Sequence, residues 1–272
     1  MRLVDSHCHL QADRFATDVD LVVGAARLAG VERILVPGWN VGSSRGALDL
    51  VGRHTWLDAA VGVHPHDAAA VGAADWREIT VMAGDPRVVA IGETGLDFDR
   101  AFSPPAAQIE NLRRNLALAL ATAKPAILHC RSRPSERAAQ DRLLEELARA
   151  GVGSAAWLAA FGSRPPAVIH SFSGPVDYAR DILARGLAIS FSGLVFRRGE
   201  ESSAEVAALV PLDRLLVETD APYLSPPGAP KRRNEPEWVR LTAGWLAEQR
   251  GIPLDEIGDA VIANYEALFG TR

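Results

Sequence analysis

The chain has 272 residues, an apolar fraction of 48% and a formal net charge of -5. Folding at this length buries roughly three quarters of the extended chain's surface, as one large domain or two small ones. The acidic balance excludes non-specific nucleic-acid binding through the overall field, and leaves room for a local basic site.

A first strand, Met1 to Val4, runs into Asp5-Ser6-His7-Cys8-His9. Alternate residues share one face of a strand, so His7 and His9 point the same way, close enough to hold a cation, while Cys8 points elsewhere. Apolar residues between Phe15 and Gly30 recur at helical spacing, with Gly30 as a stop. Arg33 to Val36 reads as a strand, Ser43 to Val51 as a serine-capped helix, and Leu57 to Val63 as a buried strand entering Gly62-Val63-His64-Pro65. Asp75 to Ala83 is a short helix, and Val88 to Ile91 a strand that ends in Gly92-Glu93-Thr94-Gly95-Leu96-Asp97.

Further on, Pro104 to Ala123 predicts a long amphipathic helix, Pro125 to Leu128 a strand delivering His129-Cys130-Arg131, and Pro134 to Ala150 another helix. Gly151 to Pro166, with Trp157, Leu158 and Phe161 between glycines and a double proline, reads as an insertion packed on the outside. Ala167 to Ile169 is a strand ending in His170-Ser171-Phe172-Ser173-Gly174, followed by a helix from Val176 to Arg185. Leu187 to Ser190 and Leu215 to Val217 are the last strands, the second ending in Glu218-Thr219-Asp220, and Glu237 to Glu248 and Leu254 to Phe269 are closing helices.

Eight short apolar strands, each followed by a helix or long loop, imply parallel strands with helical crossovers. Without a composition shift to mark a linker, they predict an α/β fold of one domain over residues 1–272, a (β/α)8 TIM barrel with an insertion around 151–166. An open doubly wound sheet is the runner-up. A nucleotide-binding version would need a Gly-rich phosphate loop after the first strand, and none is evident.

The ends of these strands carry the chemistry. His7, His9, His64, Glu93, His129, His170 and Asp220 all lie at or just past strand C-termini, which in a barrel meet at one rim where active sites are built. His7, His9, His129 and His170 with Glu93 and Asp220 suffice for two divalent cations, a carboxylate bridging them and open positions left for water and substrate. Cations about 3.5 to 4 Å apart lower the pKa of a bound water from about 16 towards about 7 and stabilise both oxygens of a phosphoryl displacement. Asp220 is placed to hold a metal and to take the proton of the attacking water. His64, just before a proline, ranks as a substrate residue ahead of a ligand. His66 reads as a loop bystander and His54 as surface, and Trp238, Leu241, Trp245 and Leu246 follow helical spacing as core packing.

Basic residues gather in the loops of the same rim: Arg100, Arg131, Arg133, Arg197, Arg198 and Lys231-Arg232-Arg233. Guanidinium forks pair with phosphate oxygens, so Arg131, Arg232 and Arg233 are expected to bind an anionic substrate. Two cysteines, Cys8 and Cys130, each beside a proposed ligand, suit free thiols in a reducing compartment. No apolar run approaches the roughly 20 residues of a membrane span, and the N-terminus lacks the pattern of a signal peptide, so a cytoplasmic location is expected. A barrel of this size can stand alone as a monomer.

Asp5-Ser-His7-Cys-His9-Leu10, Gly62-Val-His64-Pro65, Gly92-Glu93-Thr-Gly95-Leu96-Asp97, Leu128-His129-Cys-Arg131, His170-Ser-Phe-Ser-Gly174, Leu216-Val-Glu218-Thr-Asp220-Ala-Pro-Tyr223-Leu224 and Arg233-Asn234-Glu235-Pro236 follow one another along the whole chain. This series resembles the signatures of the TatD family of metal-dependent deoxyribonucleases. The resemblance implies an amidohydrolase-like TIM barrel with two metals: His7 and His9 holding one with Asp220, Glu93 bridging to the second, and His129 and His170 completing it. It also implies hydrolysis of DNA phosphodiesters from a 3' end with magnesium, manganese or zinc, Glu93 removing any need for the modified lysine of other amidohydrolases. Phe98 stands where the family often has tyrosine, Arg131-Ser132-Arg133-Pro134 lacks an aspartate common soon after the strand-five histidine, and the segment from Arg133 to Pro166 is longer than usual. These departures bear on substrate preference. The same ligand set would serve an ester or amide hydrolase, for instance one acting on aminoacyl-tRNA. A non-catalytic metal-binding protein would not need both Glu93 and Asp220.

Overall fold

A computed structural model describes residues 1–270; Thr271 and Arg272, at the end of the predicted domain, lie outside the described residues. Eight strands form one sheet in sequence order, every adjacent pair parallel. They are β1 (Leu3–Asp5), β2 (Val31–Pro37), β3 (Leu57–Val61), β4 (Val88–Asp97), β5 (Ala126–Arg131), β6 (Ala167–Ile169), β7 (Ala188–Phe191) and β8 (Leu215–Val217). Every residue of β1, β3, β6, β7 and β8 is buried, as parallel strands covered on both faces require.

No ladder joins β8 to β1. Single hydrogen bonds close the seam instead: Ser6 N donates to Val217 O at 3.1 Å, Asp220 N to His7 O at 2.9 Å and His9 N to Ala221 O at 2.7 Å. The result is the expected (β/α)8 barrel, nearly closed. Among the described residues ten α-helices surround it: α1 (Val19–Leu28), α2 (Val41–Arg53), α3 (Ala73–Ala83), α4 (Pro105–Thr122), α5 (Ala138–Arg149), α6 (Ala155–Phe161), α7 (Val176–Ala184), α8 (Ser203–Leu209), α9 (Val239–Arg250) and α10 (Leu254–Phe269). At the N-terminal ends of the strands, buried Asp58 of β3 takes the Arg33 guanidinium of β2 and the Tyr265 hydroxyl of α10 at 2.8 Å. That triad ties α10 across the barrel floor.

The structure departs from the predicted elements in several places: an unpredicted helix, α8, stands between β7 and β8, and α2 starts at Val41 with Asn40, not a serine, as its cap. Gly151 to Pro166 contains α6, whose Trp157 and Phe161 are buried with stacked rings while Leu158 is exposed. The helix predicted from Pro134 starts only at Ala138, because Ser135 has a positive φ that interrupts it. Most consequential, β4 does not stop at Ile91 but runs on to Asp97, through two glycines that look like breakers.

Those glycines are what lets the strand continue. The β4–β5 register slips between Ile91 and Thr94, where Gly92 and Gly95 both have φ +144. A Cβ on Gly62 of the facing loop would lie 2.6 Å from Gly92 Cα, and a Cβ on Gly95 would lie 1.9 Å from His129 O. Bare backbone therefore allows β4 to fold inward, where Glu93 N donates to Gly38 O at 2.7 Å. Gly95→Ala is expected to destabilise the protein by about 3 kcal/mol or more in denaturant unfolding. Gly244→Ala in α9, where a Cβ meets nothing within 4 Å, should instead be neutral or stabilising by roughly 0.5 to 1 kcal/mol. Equal effects at the two sites would rule out the close-approach argument.

Candidate metal centre and active site

Inward folding of β4 sets Glu93 at the centre of the C-terminal rim, 3% exposed. Its two oxygens face different groups. Oε2 lies 3.2 Å from His7 Nε2 and 3.5 Å from His9 Nε2. Oε1 lies 3.2 Å from His64 Nε2, 3.1 Å from His129 Nδ1 and 2.8 Å from His170 Nε2. On the first side Asp220 Oδ1 stands 3.4 Å from His9 Nε2 and 3.8 Å from His7 Nε2. Asp220 has a φ of 53, a left-handed conformation that aspartate tolerates better than most residues.

These spacings fit metal ligands. Donors around one tetrahedral ion bound at about 2.0 to 2.1 Å stand about 3.3 Å apart. Donors of His7, His9 and Glu93, of His7, His170 and Asp220, and of His64, Glu93 and His129 each fall within 4.8 Å of one another. The far ring nitrogens support the same reading. His170 Nδ1 is 3.2 Å from Glu218 Oε1, and His129 Nε2 is 3.4 Å from Asp97 Oδ2, so in each ring a carboxylate behind fixes which nitrogen points inward.

Electrostatics follow from packing so many ionisable groups without solvent. Burial works against the Glu93 carboxylate, yet the imidazoles of His170, His64 and His7 hold its pKa well below the usual range. Asp220 is likewise held low against burial by His9 and His7. Burial, reinforced by neighbouring imidazoles and opposed by Glu93, pushes His64 down to about 4 and lowers His7. His9, His129 and His170 are raised in spite of burial: His9 by Asp220 and Glu93, His129 by Asp97 and Glu93, His170 by Glu93 and Glu218. The cluster is thus a set of carboxylates and imidazoles whose protons a cation would displace.

Outer residues hold this set in place. Asp5 accepts from Thr219 N at 2.9 Å and from the Thr219 hydroxyl at 2.5 Å, fixing the β8 end against β1. Buried Gln108 of α4 clasps the end of β4, accepting from Asp97 N at 2.8 Å and donating to Asp97 O at 2.9 Å. Asn111 Nδ2 donates to Val63 O at 2.7 Å just before His64.

The six predicted ligands come together in one cluster, and Cys8 is buried away from the cleft, its Sγ 3.9 Å from Ala221 O. His64, expected to serve substrate ahead of a metal, lines the cleft and has its Nε2 among the donors around Glu93 Oε1. Two other expectations need correction. His66 is no bystander: its Nε2 is 2.7 Å from Asp97 Oδ2 and it lines the cleft. Arg232 and Arg233 do not line the cleft at all. Arg233 is spent on Asp18 Oδ2 and Glu235 Oε1, both at 2.7 Å, and lies over the Phe15 ring, while Arg232 O accepts from Arg14.

The cleft itself has a volume of about 1130 Å³. Arg100, Arg131, Arg133, Arg137, Arg197 and Arg198, from the loops after β4, β5 and β7, line it. Arg131 is partly neutralised by Asp99 at 3.0 Å and Arg137 by Asp141 and Asp177. Sequence reasoning missed Asp97 and Glu218 as supports because each lies one layer behind a ligand, although both stand inside the motifs quoted above.

A family model described as TatD related DNase matches residues 4–270. The "3'-5' ssDNA/RNA exonuclease TatD" of Erwinia amylovora is 38% identical, over 98% of this chain and all of the relative. The "Uncharacterized metal-dependent hydrolase YabD" of Bacillus subtilis is 32% identical over 98% of each. Among solved structures, the TatD homologue YJJV of Escherichia coli superposes with a TM-score of 0.87 at 29% identity, over all of this chain and 99% of that one. The chain therefore belongs to the TatD family and is a metal-dependent hydrolase.

Proposed function

We propose that this hydrolase is a 3'-5' exonuclease on single-stranded nucleic acid, with residues 1–272 acting as one unit. The observation that carries the reading is Glu93, whose two oxygens face two separate imidazole groups on the floor of an arginine-lined cleft. The curated relatives bearing that activity in their names align over the whole length.

Two divalent ions would suit these donors: His7, His9, Asp220 and Glu93 would hold one, and Glu93, His129 and His170, with His64 beside them, the other. Imidazole and carboxylate donors accept zinc or manganese, and magnesium where it is abundant. When bound, such ions would lower the pKa of water and neutralise charge on the phosphate. Asp220, the more exposed of the two carboxylate ligands at 14% side-chain exposure against 4% for Glu93, accepts the proton of the attacking water. Asp97 holds both His129 and His66 in orientation. Arg133, Arg197 and Arg198 bind substrate phosphates at the cleft wall, together with Arg131. Among the described residues no helix is long and apolar enough to cross a membrane. The two buried thiols, kept protonated by burial, suit a reducing compartment such as the cytoplasm. No second chain is needed to complete the site.

The decisive assay uses 5'-labelled single-stranded DNA with metal-stripped protein and add-back of magnesium, manganese or zinc. A ladder shortening from the 3' end that depends on metal is expected, and Asp220→Asn should slow it by roughly 10²- to 10⁴-fold with unchanged circular dichroism. Intact DNA under every ion would remove the exonuclease reading. Asp97→Asn should weaken metal affinity by about 10- to 100-fold in a competitive chelator titration, because His129 loses its support; unchanged affinity would make Asp97 a bystander. Arg197→Ala with Arg198→Ala should reduce the salt slope of binding by about 1.4, at about 0.7 per charge on single strands. Arg233→Ala should leave that slope alone and lower unfolding free energy by about 1 to 2 kcal/mol.

A further inference from the structure

Seven large apolar side chains are exposed among the described residues, and the two aromatic ones, Tyr223 at 51% and Phe102 at 68%, both stand at the catalytic rim. Tyr223 follows the ligand Asp220 in the loop after β8. Its ring stands edge-on to His9, with centroids 6.1 Å apart. Trp39, of the loop after β2, also stands edge-on to His9, with centroids 5.2 Å apart. Both aromatics line the cleft.

Both are also held rigidly at the backbone. Trp39 N donates to Ser43 Oγ at 2.7 Å within the Asn40 capping box, and Trp39 O accepts from His64 N at 2.8 Å. Tyr223 N donates to Asp220 O at 2.9 Å, and the carbonyl of the preceding Pro222 accepts from Arg14 at 3.1 Å and from Asn234 N at 3.2 Å. The Arg233-Asn234 segment that failed as a phosphate site thus clamps the loop that carries Tyr223. A ring held at its backbone, yet left half-exposed in the cleft, gains free energy when a flat partner covers it.

Position around the barrel indicates which partner. Trp39, His9 and Tyr223 belong to the loops after β2, β1 and β8, three neighbours in the ring, while the arginines centre on the loop after β5, diametrically opposite. A phosphodiester held at Glu93 between them has a single nucleoside on its 3' side and a chain of phosphates on its 5' side. One base needs one stacking surface, and many phosphates need many guanidinium groups.

We propose that Tyr223 is the platform on which the unpaired 3'-terminal base stacks, with Trp39 on the same side of the cleft and the rest of the strand running across the cluster towards the arginines. This rests on the exonuclease reading above and assigns it a direction and a terminal-base subsite.

The test compares two 5'-labelled single strands of one sequence, one ending in an ordinary 3' nucleotide and one in a 3'-terminal tetrahydrofuran residue that lacks the base. Wild-type protein should remove the base-bearing terminus about tenfold faster in kcat/KM, the scale of one base–aromatic stack. Tyr223→Ala should lose about tenfold on the ordinary end and less than twofold on the abasic end, and Tyr223→Phe should behave as wild type. Activity on the abasic end doubles as a folding control. Equal losses on both ends, or selective loss in Phe102→Ala instead of Tyr223→Ala, would overturn the proposal. If wild type cleaves neither strand with any metal, the exonuclease reading itself fails, and the subsite falls with it.

Discussion

A carboxylate without solvent around it is among the most costly groups a protein can bury, and Glu93 is 3% exposed. Five imidazoles within 3.5 Å of its oxygens offset that cost, and each imposes a need of its own. His170 requires Glu218 behind it, and Glu218 in turn accepts from Ser6 Oγ at 3.4 Å. His129 requires Asp97, which also takes His66 and the backbone amides of Asp99 and Arg100. The site is thus alternating shells of negative and positive groups radiating from one residue. Such an arrangement is satisfied either by protons on the imidazoles or by cations among them, which is why metal binding and proton release are linked here.

The same geometry ties the loops around the cleft to one another. On the side of β8 and β1, Asp220 N donates to His7 O at 2.9 Å and His9 N to Ala221 O at 2.7 Å. Gly193, after β7, leaves room for Leu224 O of the loop after β8, which a Cβ would meet at 1.9 Å. On the side of β6 and β7, Phe172 N donates to Ser190 O at 2.9 Å, and side chains add Ser173 Oγ to Glu200 at 2.8 Å and Ser202 Oγ to Gly174 O at 3.0 Å.

Much of this was legible before any coordinates. Strand ends can be read from apolar runs, and a parallel barrel brings strand ends together, so seven residues far apart in the chain could be placed on one rim. Two kinds of information could not be read. One is what stands behind a ligand: nothing in the spacing of Asp97 and His66 shows that β4 continues past two glycines and delivers Asp97 beneath both His66 and His129. The other is whether a charge is free. Arg232 and Arg233 look like a phosphate site as a basic run, but pairing with Asp18, 215 positions away, consumes the Arg233 guanidinium. Glycine in the Gly92 to Gly95 stretch signals a turn by local propensity, and here tertiary contact overrides it.

The seam between the last strand and the first has a further consequence for folding. Thr219 bonds to Asp5 across 214 positions, Ser6 to Val217 across 211, and Arg14 to Pro222 across 208. Contacts of such separation form only after most of the loop-closure entropy has been met. Asp220 reaches His9, and Tyr223 is clamped by Arg14, through this seam alone. A partly assembled barrel could gather Glu93, His129 and His170 from neighbouring strands, yet it would lack the contact of Asp220 with His9 and the clamp on the loop of Tyr223. Assembly of the whole donor cluster is therefore coupled to closure of the fold.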